Sequence, residues 1–556
     1  MTTTSTPTMG RNIDGDGVER ATRANTLAIV AMAGVALAIL LLQSLLHGHL
    51  SGLDEYDDGA YFGASLQLLH GILPYVDSAF VQPPMLTVWF LPAAAVSLIS
   101  GTGAAFETAR LFIDAVAVAN VVMVGLLVRH RPTLQVLVST GAMAAFPGTI
   151  RSAQTVFIEP LLVLLCLAGL LLFFDHGELT ASRWRMYLGA ALFGVAGATK
   201  LWAVFPFLAV LVAAWSLGPR VCAKLIAAGA AGFLVCCLPF FLAAPSAFIH
   251  DVFVTQAIRS GSGGYTSLER LADLTGLPGL YSAVSSPAGG GAVLIAAVLG
   301  ALLAVCTLAF TTAAPRRIGP FERFALTAAL LTGAGLFVAP EYYYHYGGFE
   351  APFIALVYGI VVNRLRQSLS RIPRAAPRRV GVAATLAIAA VLFCTMVLRR
   401  VDTVTAAPPA TQVAEVVGNA IPAHGCVLYT DPAVGILSDR FTASDPGCSR
   451  IVDYLGEERV LDKGADESPS DAKDAALQAR FLAAMTTSVA MVVGPDPSWG
   501  PSAARYARTN FHLARSRAHG LKVYVRNSGS AAISRLGLHG TGSSRGASKP
   551  KTRRRQ

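Results

Sequence analysis

Residues 54–61 have the sequence DEYDDGAY, which places four carboxylates within five residues directly after a long apolar run. That run, residues 26–46, has about the length of 20 residues that a helix needs to cross a bilayer. Because charge close to the hydrocarbon is costly, a concentration of carboxylates at this point predicts a polar site at the membrane surface.

The composition of the chain is that of a polytopic membrane protein. Of its 556 residues, 54% are hydrophobic and only 14% are charged, and the mean hydropathy is +0.55. The net charge of +11 does not indicate nucleic-acid binding, because most arginines lie in short loops between apolar runs and others form the terminal SKPKTRRRQ. We therefore expect an α-helical membrane protein.

Apolar runs that could cross a membrane recur about eleven times. They cover residues 24–46, 106–128, 133–149, 157–174, 186–199, 201–217, 224–243, 289–313, 325–339, 351–363 and 380–398. The first run lacks a small-x-small cleavage pattern, so we expect an uncleaved helix rather than a signal peptide.

The basic residues occupy alternate connections between these runs. By the positive-inside rule, these connections and the tail 1–23 are cytoplasmic. The cytoplasmic set comprises Arg129, Arg131, Arg183, Arg185, Arg220, Lys224, Arg316, Arg317, Arg323 and the Arg-rich 364–379. This parity predicts that DEYDDGAY, a loop near 244–288 and a segment from about 401 lie outside.

Ionisable residues at the ends of the spans also gather on the predicted outer side. They are Arg110, Asp114, Arg151, Glu159, Lys200, Glu341, His345 and Glu350. Any one of them alone could be an interfacial side chain reaching water, or a pair such as Arg110 with Asp114 at i, i+4. Taken together beside four carboxylates, they predict a polar site.

The first outer loop, within residues 47–105, has two helical patterns. Residues 59–69 place Phe62, Leu66 and Leu69 on one side, which predicts an amphipathic helix lying on the membrane surface. Pro83 and Pro84 then begin a second apolar segment along the interface.

This loop resembles that of GT-C glycosyltransferases, with the protein O-mannosyltransferases and the lipid A aminoarabinose transferase as the most similar families. The resemblance rests on Asp57-Asp58, Tyr61, Pro74-Tyr75 and Pro83-Pro84, although Asp58 replaces the usual Glu and the earlier Asp54-Glu55 is a rival pair by residue type. It continues downstream in FETARLFIDAV (106–116), RSAQTVFIEPLLVLL (151–165), GATKLWAVFPF (197–207) and EYYYHYGGFEAPFIAL (341–356), and covers roughly residues 20–400.

The resemblance implies transfer of a sugar from a polyprenyl-phosphate carrier to an acceptor hydroxyl, with inversion. Such a reaction needs a base, for which Asp57 is the candidate; Asp58 beside it could raise the pKa of Asp57 or hold acceptor hydroxyls. The alternative is that both residues only cap the predicted helix at Gly59.

A departing lipid phosphate needs cations, and Lys200, Arg151 and His345 suit that role, with Arg110 if Asp114 does not neutralise it. Glu159 needs a partner, either Arg151 or Lys200. Tyr344 and Gln82 are two further candidates for substrate binding. Tyr344, with Tyr342 and Tyr343, could instead belong to an aromatic belt at the membrane interface, and Gln82 could instead stabilise its loop. Tyr61 completes the candidate set.

No nucleotide-binding fingerprint, HExxH motif or Cys/His ligand set occurs in the sequence. SGSGGYTS (260–267) indicates a loop rather than a P-loop. No cofactor is implied, although the acidic loop leaves a divalent cation open.

From about residue 401 the composition becomes that of a soluble chain. Alternating strand-like and helix-like runs predict a small extracytoplasmic α/β domain over 401–528, after the membrane domain 24–400 and before a disordered basic tail, 529–556. Cys426 and Cys448 both fall in this outer domain, so we expect a disulfide between them.

The sequence therefore predicts a multi-pass glycosyltransferase of the bacterial cytoplasmic membrane with a lipid-linked sugar donor and a glycan, lipid or protein acceptor. The rival interpretations are a lipid-linked-sugar flippase and a non-catalytic scaffold that binds wall polymer. The position of the charged residues at one face, and not at the midplane of the membrane, argues against a flippase.

Overall fold

The computed structural model describes residues 12–46, 48–259, 265–277, 318–369, 413, 417–418, 420–461, 475–494, 499–516 and 521–527. Two predicted spans, 289–313 and 380–398, lie outside these residues, as do the predicted tail 529–556 and residues 1–11 of the predicted N-terminal tail.

The membrane part is built almost entirely from helices. In chain order they are α1 (Asn12–Leu46), α2 (Tyr56–Leu69), α3 (Met85–Trp89), α4 (Leu91–Ala95), α5 (Ser97–Val128), α6 (Thr133–Ala145), α7 (Pro147–Ser152), α8 (Glu159–Phe173), α9 (Arg183–Gly197), α10 (Val204–Ala214), α11 (Pro219–Ala243), α12 (Pro245–Ile249), α13 (Thr255–Ala257), α14 (Ser267–Leu274), α15 (Pro320–Val338) and α16 (Gly347–Leu369). Two 3₁₀ turns flank α10, at Leu201–Ala203 and Trp215–Leu217, and a π-helical turn, His250–Val254, joins α12 to α13.

Within the described residues, five helices are long and apolar enough to cross a membrane: Glu19–Leu46, Ser97–Val128, Pro219–Ala243, Pro320–Val338 and Gly347–Ser368. Three shorter apolar helices accompany them, at Thr133–Ala145, Glu159–Phe173 and Leu201–Leu217. These coincide with predicted runs, and the chain is a multi-pass membrane protein. α1 packs on α5 and α6, α9 packs between α8 and α11, and α16 lies against α6 and α15.

The C-terminal part contains a four-stranded sheet. Its strands are β3 (Cys426–Tyr429), β4 (Ser488–Val493), β5 (Phe511–Ser516) and β6 (Lys522–Arg526), after a short hairpin of β1 (Phe174–Asp175) and β2 (Glu178–Leu179) in the membrane part. The order is β3-β4-β6-β5, with β3 and β4 parallel and the other pairs antiparallel. Its helices are α17 (Pro432–Leu437), α18 (Tyr454–Leu461), α19 (Ala475–Thr487) and α20 (Gly500–Asn510). The predicted α/β character of the C-terminal part and the Cys426–Cys448 disulfide are both confirmed.

The predicted surface helix is α2, and other parts of the protein cover it on both sides. Residues 58–67 are all buried, because α3 and α4 cover one side of α2 while α17 of the C-terminal part covers the other. Gly59 permits this second contact: a Cβ atom there would lie 2.4 Å from the backbone nitrogen of Ala433. The apolar positions in the sequence predicted the side of α2 that packs on α3 and α4. They did not predict the other side, where a small residue, Gly59, lets the backbone of α17 come close.

α5 connects the two ends of the molecule. At its beginning, Thr102 donates to the Ile436 carbonyl at 2.7 Å and the Gly103 amide donates to Asp439 at 2.8 Å. At its far end, Arg129 donates to His130, whose ring stacks on His176 at 3.6 Å. The C-terminal sheet and the arginine-rich connections therefore lie at opposite ends of the bundle.

Candidate active site

The acidic pair at the start of α2 is divided by burial. Asp58 is fully buried, with Oδ2 2.8 Å from Arg110 Nη2, and it also accepts a hydrogen bond from the Thr155 hydroxyl. Asp57, one position earlier, is partly exposed and accepts a hydrogen bond from the Tyr61 hydroxyl at 3.2 Å. Consecutive residues of a helix face different directions, so one carboxylate supports the loop while the other remains accessible.

Arg110 is held by contacts inside the protein, which argues against its predicted role at the donor phosphate and against the alternative of a pair with Asp114. Its Nη1 donates to the carbonyls of His49, Leu50 and Gly52, and its Nε donates to Thr155 at 2.9 Å. Its ionic partner is Asp58 rather than Asp114, which accepts instead from Ser44 at 3.0 Å. With its donors engaged inside the protein, Arg110 is not placed to bind a lipid phosphate.

Burial is also the main influence on the titration of Asp58. It raises the pKa of Asp58 to about 6, opposed by the Arg110 charge and by the hydrogen bond from Thr155. The burial of Asp58 against Arg110 of α5 argues against the prediction that Asp58 holds acceptor hydroxyls. The same position fixes the first turn of α2, which carries Asp57.

Glu159, Lys200 and His345, all predicted site residues, meet at one buried cluster. Lys200 Nζ lies 2.8 Å from Glu159 Oε1, and His345 Nδ1 lies 3.1 Å from Glu159 Oε2. Lys200 also lies over the ring of Trp202, at 3.6 Å from its centroid. Of the two predicted partners of Glu159, Lys200 is thus the one that the structure supplies.

Arg151 lies apart from this cluster. Its Nη1 is 3.0 Å from Asp273 Oδ1 on α14. Its guanidinium carbon lies 6.0 Å from the ring centroid of Tyr344, which is the neighbour of His345 in the sequence.

Tyr344 belongs to a hydrogen-bonded network with the first two acids of DEYDDGAY. Its hydroxyl donates to Glu55 at 2.7 Å and accepts from Gln154 at 3.1 Å. Gln154 also donates to both oxygens of Asp54, at 3.0 and 3.1 Å. These polar contacts show that Tyr344 is part of the loop's support and not of an aromatic belt.

A cleft of about 230 Å³ opens beside Lys200. Its walls are formed by Gln82, Pro83, Lys200, Leu201, Trp202, Val252, Gln256, Arg259, Ala339, Pro340, Glu341 and Tyr346. Asp57 lies close enough to act electrostatically on both Lys200 and Tyr346. The cleft therefore has cations and an amide on its walls and an accessible carboxylate near it.

Two further arginines lie near the cleft. Arg259 forms an ion pair with Glu341, and its Nε has no hydrogen-bond partner among the described residues. Arg459, on α18 of the C-terminal part, has Nη2 3.8 Å from Glu341 Oε2 and acts electrostatically with Asp57. Each cleft cation thus has an acidic partner, and Arg259 retains an unused donor.

Of the other predicted residues, Glu350 is buried on α16 facing Gly333, away from the cleft. Gln82 lines the cleft, and its carbonyl accepts a hydrogen bond from Tyr75 at 2.5 Å. In the part of the chain that the structure describes, no group of three or more His, Cys, Asp or Glu side chains is arranged to hold a metal ion.

Comparison with protein families and with curated proteins gives no match. Among solved structures, ArnT from Cupriavidus metallidurans in the apo state matches with a TM-score of 0.57 at 13% identity, over 91% of this chain and 99% of ArnT. ArnT bound to undecaprenyl phosphate matches with 0.55 at 15% identity, over 90% and 98%. The apo oligosaccharyltransferase of Archaeoglobus fulgidus matches with 0.51 at 11% identity, over 90% and 74%. The chain has the GT-C fold.

The GT-C fold confirms the resemblance found in the first outer loop and in four downstream segments. Within this GT-C chain, Arg259 and Arg459 are the site residues that sequence reasoning missed. Arg259 immediately precedes SGSGG, whose composition indicated only a loop, and Arg459 lies in the C-terminal part, where the sequence singled out no site residue. Both arginines reach the cleft because α18 and the residues after α13 meet the loop before α16, which carries Glu341.

Proposed function

We propose that the chain transfers a sugar from a polyprenyl-phosphate-linked donor to an acceptor hydroxyl on the outer face of a bacterial cytoplasmic membrane. The observation that carries this proposal is a cleft with Lys200 and Arg259 on its walls, on whose Lys200 the partly exposed Asp57 carboxylate acts electrostatically. A base for a hydroxyl and cations for a phosphate are the two requirements of such a transfer. The donor sugar is a hexose or a pentose, and the acceptor belongs to a cell-wall glycan, a lipoglycan or a protein.

The donor side of the proposal rests on the cations. Lys200 is held by Glu159 at 2.8 Å and keeps further N–H donors, and Arg259 Nε is unused among the described residues. Both suit a phosphate, Lys as a point charge and Arg as a planar fork. The match with ArnT bound to undecaprenyl phosphate supports a lipid phosphate as the carrier.

The acceptor side rests on Asp57. In the proposed step Asp57 takes the proton of the acceptor hydroxyl, whose oxygen attacks the anomeric carbon while the bond from that carbon to the phosphate oxygen breaks. The bonding pair leaves with the phosphate, whose added charge Lys200 and Arg259 stabilise. One displacement of this kind inverts the anomeric centre. Asp58 and Arg110 act as positioning residues, because both are buried beneath the turn that carries Asp57.

The proposed orientation follows from the two ends of the bundle. The arginine-rich connections, with Arg129 and Arg131, lie at the end of α5 opposite the C-terminal sheet. The positive-inside rule places these connections in the cytoplasm and consequently the cleft and the sheet outside.

A transfer assay in nanodiscs tests this proposal. The full chain is supplied with radiolabelled polyprenyl-phosphate mannose, arabinose or galactose and with a membrane extract as acceptor. We expect labelled product and released polyprenyl phosphate in equal amounts from at least one donor, loss of both in Arg259→Gln, and retention in Arg129→Gln at the opposite end. Absence of product from every donor in nanodiscs, together with movement of the donor across the bilayer of sealed proteoliposomes that contain the same chain, would contradict transfer and favour the flippase interpretation.

A further inference from the structure

A second and larger cavity, which we call the outer cavity, lies between the first outer loop and the C-terminal part. Its volume is about 400 Å³, within the range of roughly 300–1,000 Å³ that is usual for small-molecule sites. Its polar lining includes Asp77, Ser78, Asp251, Arg450, Glu457 and Arg480. None of these residues belongs to the cleft beside Lys200.

The rim of the outer cavity is a tight turn held in an unusual conformation. Tyr75 has φ = 69°, which non-glycine residues rarely adopt, and its amide donates to the Ser78 carbonyl at 2.9 Å. Its hydroxyl donates to the Gln82 carbonyl and its ring packs against Phe248 at 5.1 Å. This turn presents Asp77 and Ser78 at the cavity, and such conformations persist where surrounding contacts fix them.

Asp251 has an unused acceptor in the wall of the outer cavity. The residue is only 2% exposed; Oδ2 accepts from the Phe80 amide at 3.4 Å, whereas Oδ1 has no hydrogen-bond partner among the described residues. The ring nitrogen Nδ1 of His250 lies 3.5 Å from Oδ1, at the outer limit of a hydrogen bond. A buried carboxylate oxygen without a donor carries a desolvation cost, which a ligand that donates a hydrogen bond would offset.

The outer cavity and the cleft share one wall. Ala79 donates to Glu457 at 3.2 Å, Gln256 donates to the Val81 carbonyl at 2.8 Å, and the adjoining Gln82 lines the cleft. α18 spans the same boundary, since its Glu457 lines the outer cavity and its Arg459 lies near Glu341 of the cleft. A chain-like ligand in the outer cavity would thus lie next to the cleft.

We propose that the outer cavity binds an uncharged, polyhydroxylated segment of the acceptor, that is, a glycan adjoining the hydroxyl to be modified. This inference rests on the transfer proposed above. The cavity offers carboxylate acceptors and guanidinium donors together, and a hydroxyl group can satisfy either. An anionic ligand would face Asp77 and Asp251, and a cationic one would face Arg450 and Arg480, so neither suits the lining as well.

The test is saccharide binding to the full chain in nanodiscs without any donor, using disaccharides of mannose, arabinose and galactose as probes in calorimetric titration. Ala483→Trp fills the outer cavity from an exposed position of α19, and Ala476→Trp adds the same bulk two turns away at an exposed position that does not line it. We expect at least one disaccharide to bind, at least tenfold more weakly to Ala483→Trp and equally well to Ala476→Trp. Asp251→Asn, which preserves shape, should weaken binding by a similar factor.

Failure of this inference is distinguishable from failure of the transferase proposal. Absence of disaccharide binding, or binding that Ala483→Trp leaves unchanged, overturns the outer cavity as a glycan site even if transfer occurs. Binding of a serine- and threonine-rich peptide, blocked by Ala483→Trp, with no saccharide binding would likewise overturn it. Disaccharide binding that Ala483→Trp abolishes, without transfer from any donor, would leave the glycan site standing and overturn the transferase.

Discussion

Asp58 Oδ2 lies 2.8 Å from Arg110 Nη2, and neither side chain is more than 2% exposed. The pair joins the first turn of α2 to the middle of the membrane-spanning α5. The ion pair holds Asp58 and with it the first turn of α2, which also carries Asp57. The buried pair therefore fixes the position of the proposed base.

We expect Asp58→Asn to destabilise the protein by about 3–5 kcal/mol, because it leaves the Arg110 charge buried without its partner. Asp175→Asn is the matched control: Asp175 is exposed and 3.9 Å from Arg185, so its loss should cost no more than about 1 kcal/mol. Unfolding of the purified protein, followed by intrinsic fluorescence in detergent, measures both. Equal losses in the two variants would show that the buried pair does not fix α2.

Lys200→Met should weaken binding of undecaprenyl phosphate about 10- to 100-fold. This factor corresponds to the loss of one hydrogen bond to a charged group, which contributes about 1.5–3 kcal/mol. Lys224→Met is the control, since Lys224 is exposed and is the only other lysine before residue 400. Titration of nanodisc-embedded protein gives both dissociation constants. If Lys224→Met weakens binding as much as Lys200→Met, the cleft is not the phosphate site.

Gly59→Ala should loosen the contact between α2 and the C-terminal part, because the added Cβ would lie 2.4 Å from the backbone nitrogen of Ala433, which cannot swing aside as a side chain can. We expect a loss of about 1–3 kcal/mol and faster proteolytic release of the C-terminal part. Gly34→Ala, in α1, is the control, since its Cβ would meet no atom within 4 Å. Unchanged proteolysis in Gly59→Ala would mean that the two parts do not depend on this contact.

Asp431 should make stability depend on pH. Burial and the nearby Asp58 raise the pKa of Asp431 to about 7, despite the hydrogen bond that the Ala433 amide donates to it. The folded state holds the proton more tightly than the unfolded chain, whose aspartates titrate near about 3.9. The stability contributed at low pH is therefore lost as the pH rises from about 4 to about 7.

The variant Asp431→Asn can still cap the N-terminus of α17 but cannot ionise. Its free energy of unfolding should therefore exceed that of the wild type by a small amount near about pH 4 and by a larger amount near about pH 8. Thermal unfolding at the two pH values measures the difference. An equal advantage at both would contradict the raised pKa.

The parts of the fold that depend on local pattern could be predicted from the sequence. Apolar runs located α1, α5 and α11, and helical periodicity located α2, because hydrophobicity and spacing are properties of neighbouring residues. The need of Glu159 for a cation also followed, because a carboxylate at a span end requires a partner; the sequence left Arg151 and Lys200 as alternatives, and the structure supplies Lys200.

The remaining site features depend on packing between distant segments. Spacing offered Asp114, one turn away, as a possible partner of Arg110, yet its partner is Asp58, because the segment that carries Asp58 folds back over α5. Arg259 and Arg459 reach Glu341 from two further segments, and no spacing rule joins these three. The outer cavity exists only where the outer loop and the C-terminal part meet, so neither segment alone indicates it.

The most direct test of the proposed chemistry is a comparison of transfer rate and donor affinity in Asp57→Asn. If Asp57 is the base, the transfer rate should fall at least about 100-fold, within the range that general bases contribute, while the dissociation constant for the polyprenyl-phosphate sugar stays within about threefold of wild type. Transfer at the wild-type rate, with donor binding intact, would contradict the assignment of Asp57 as the base.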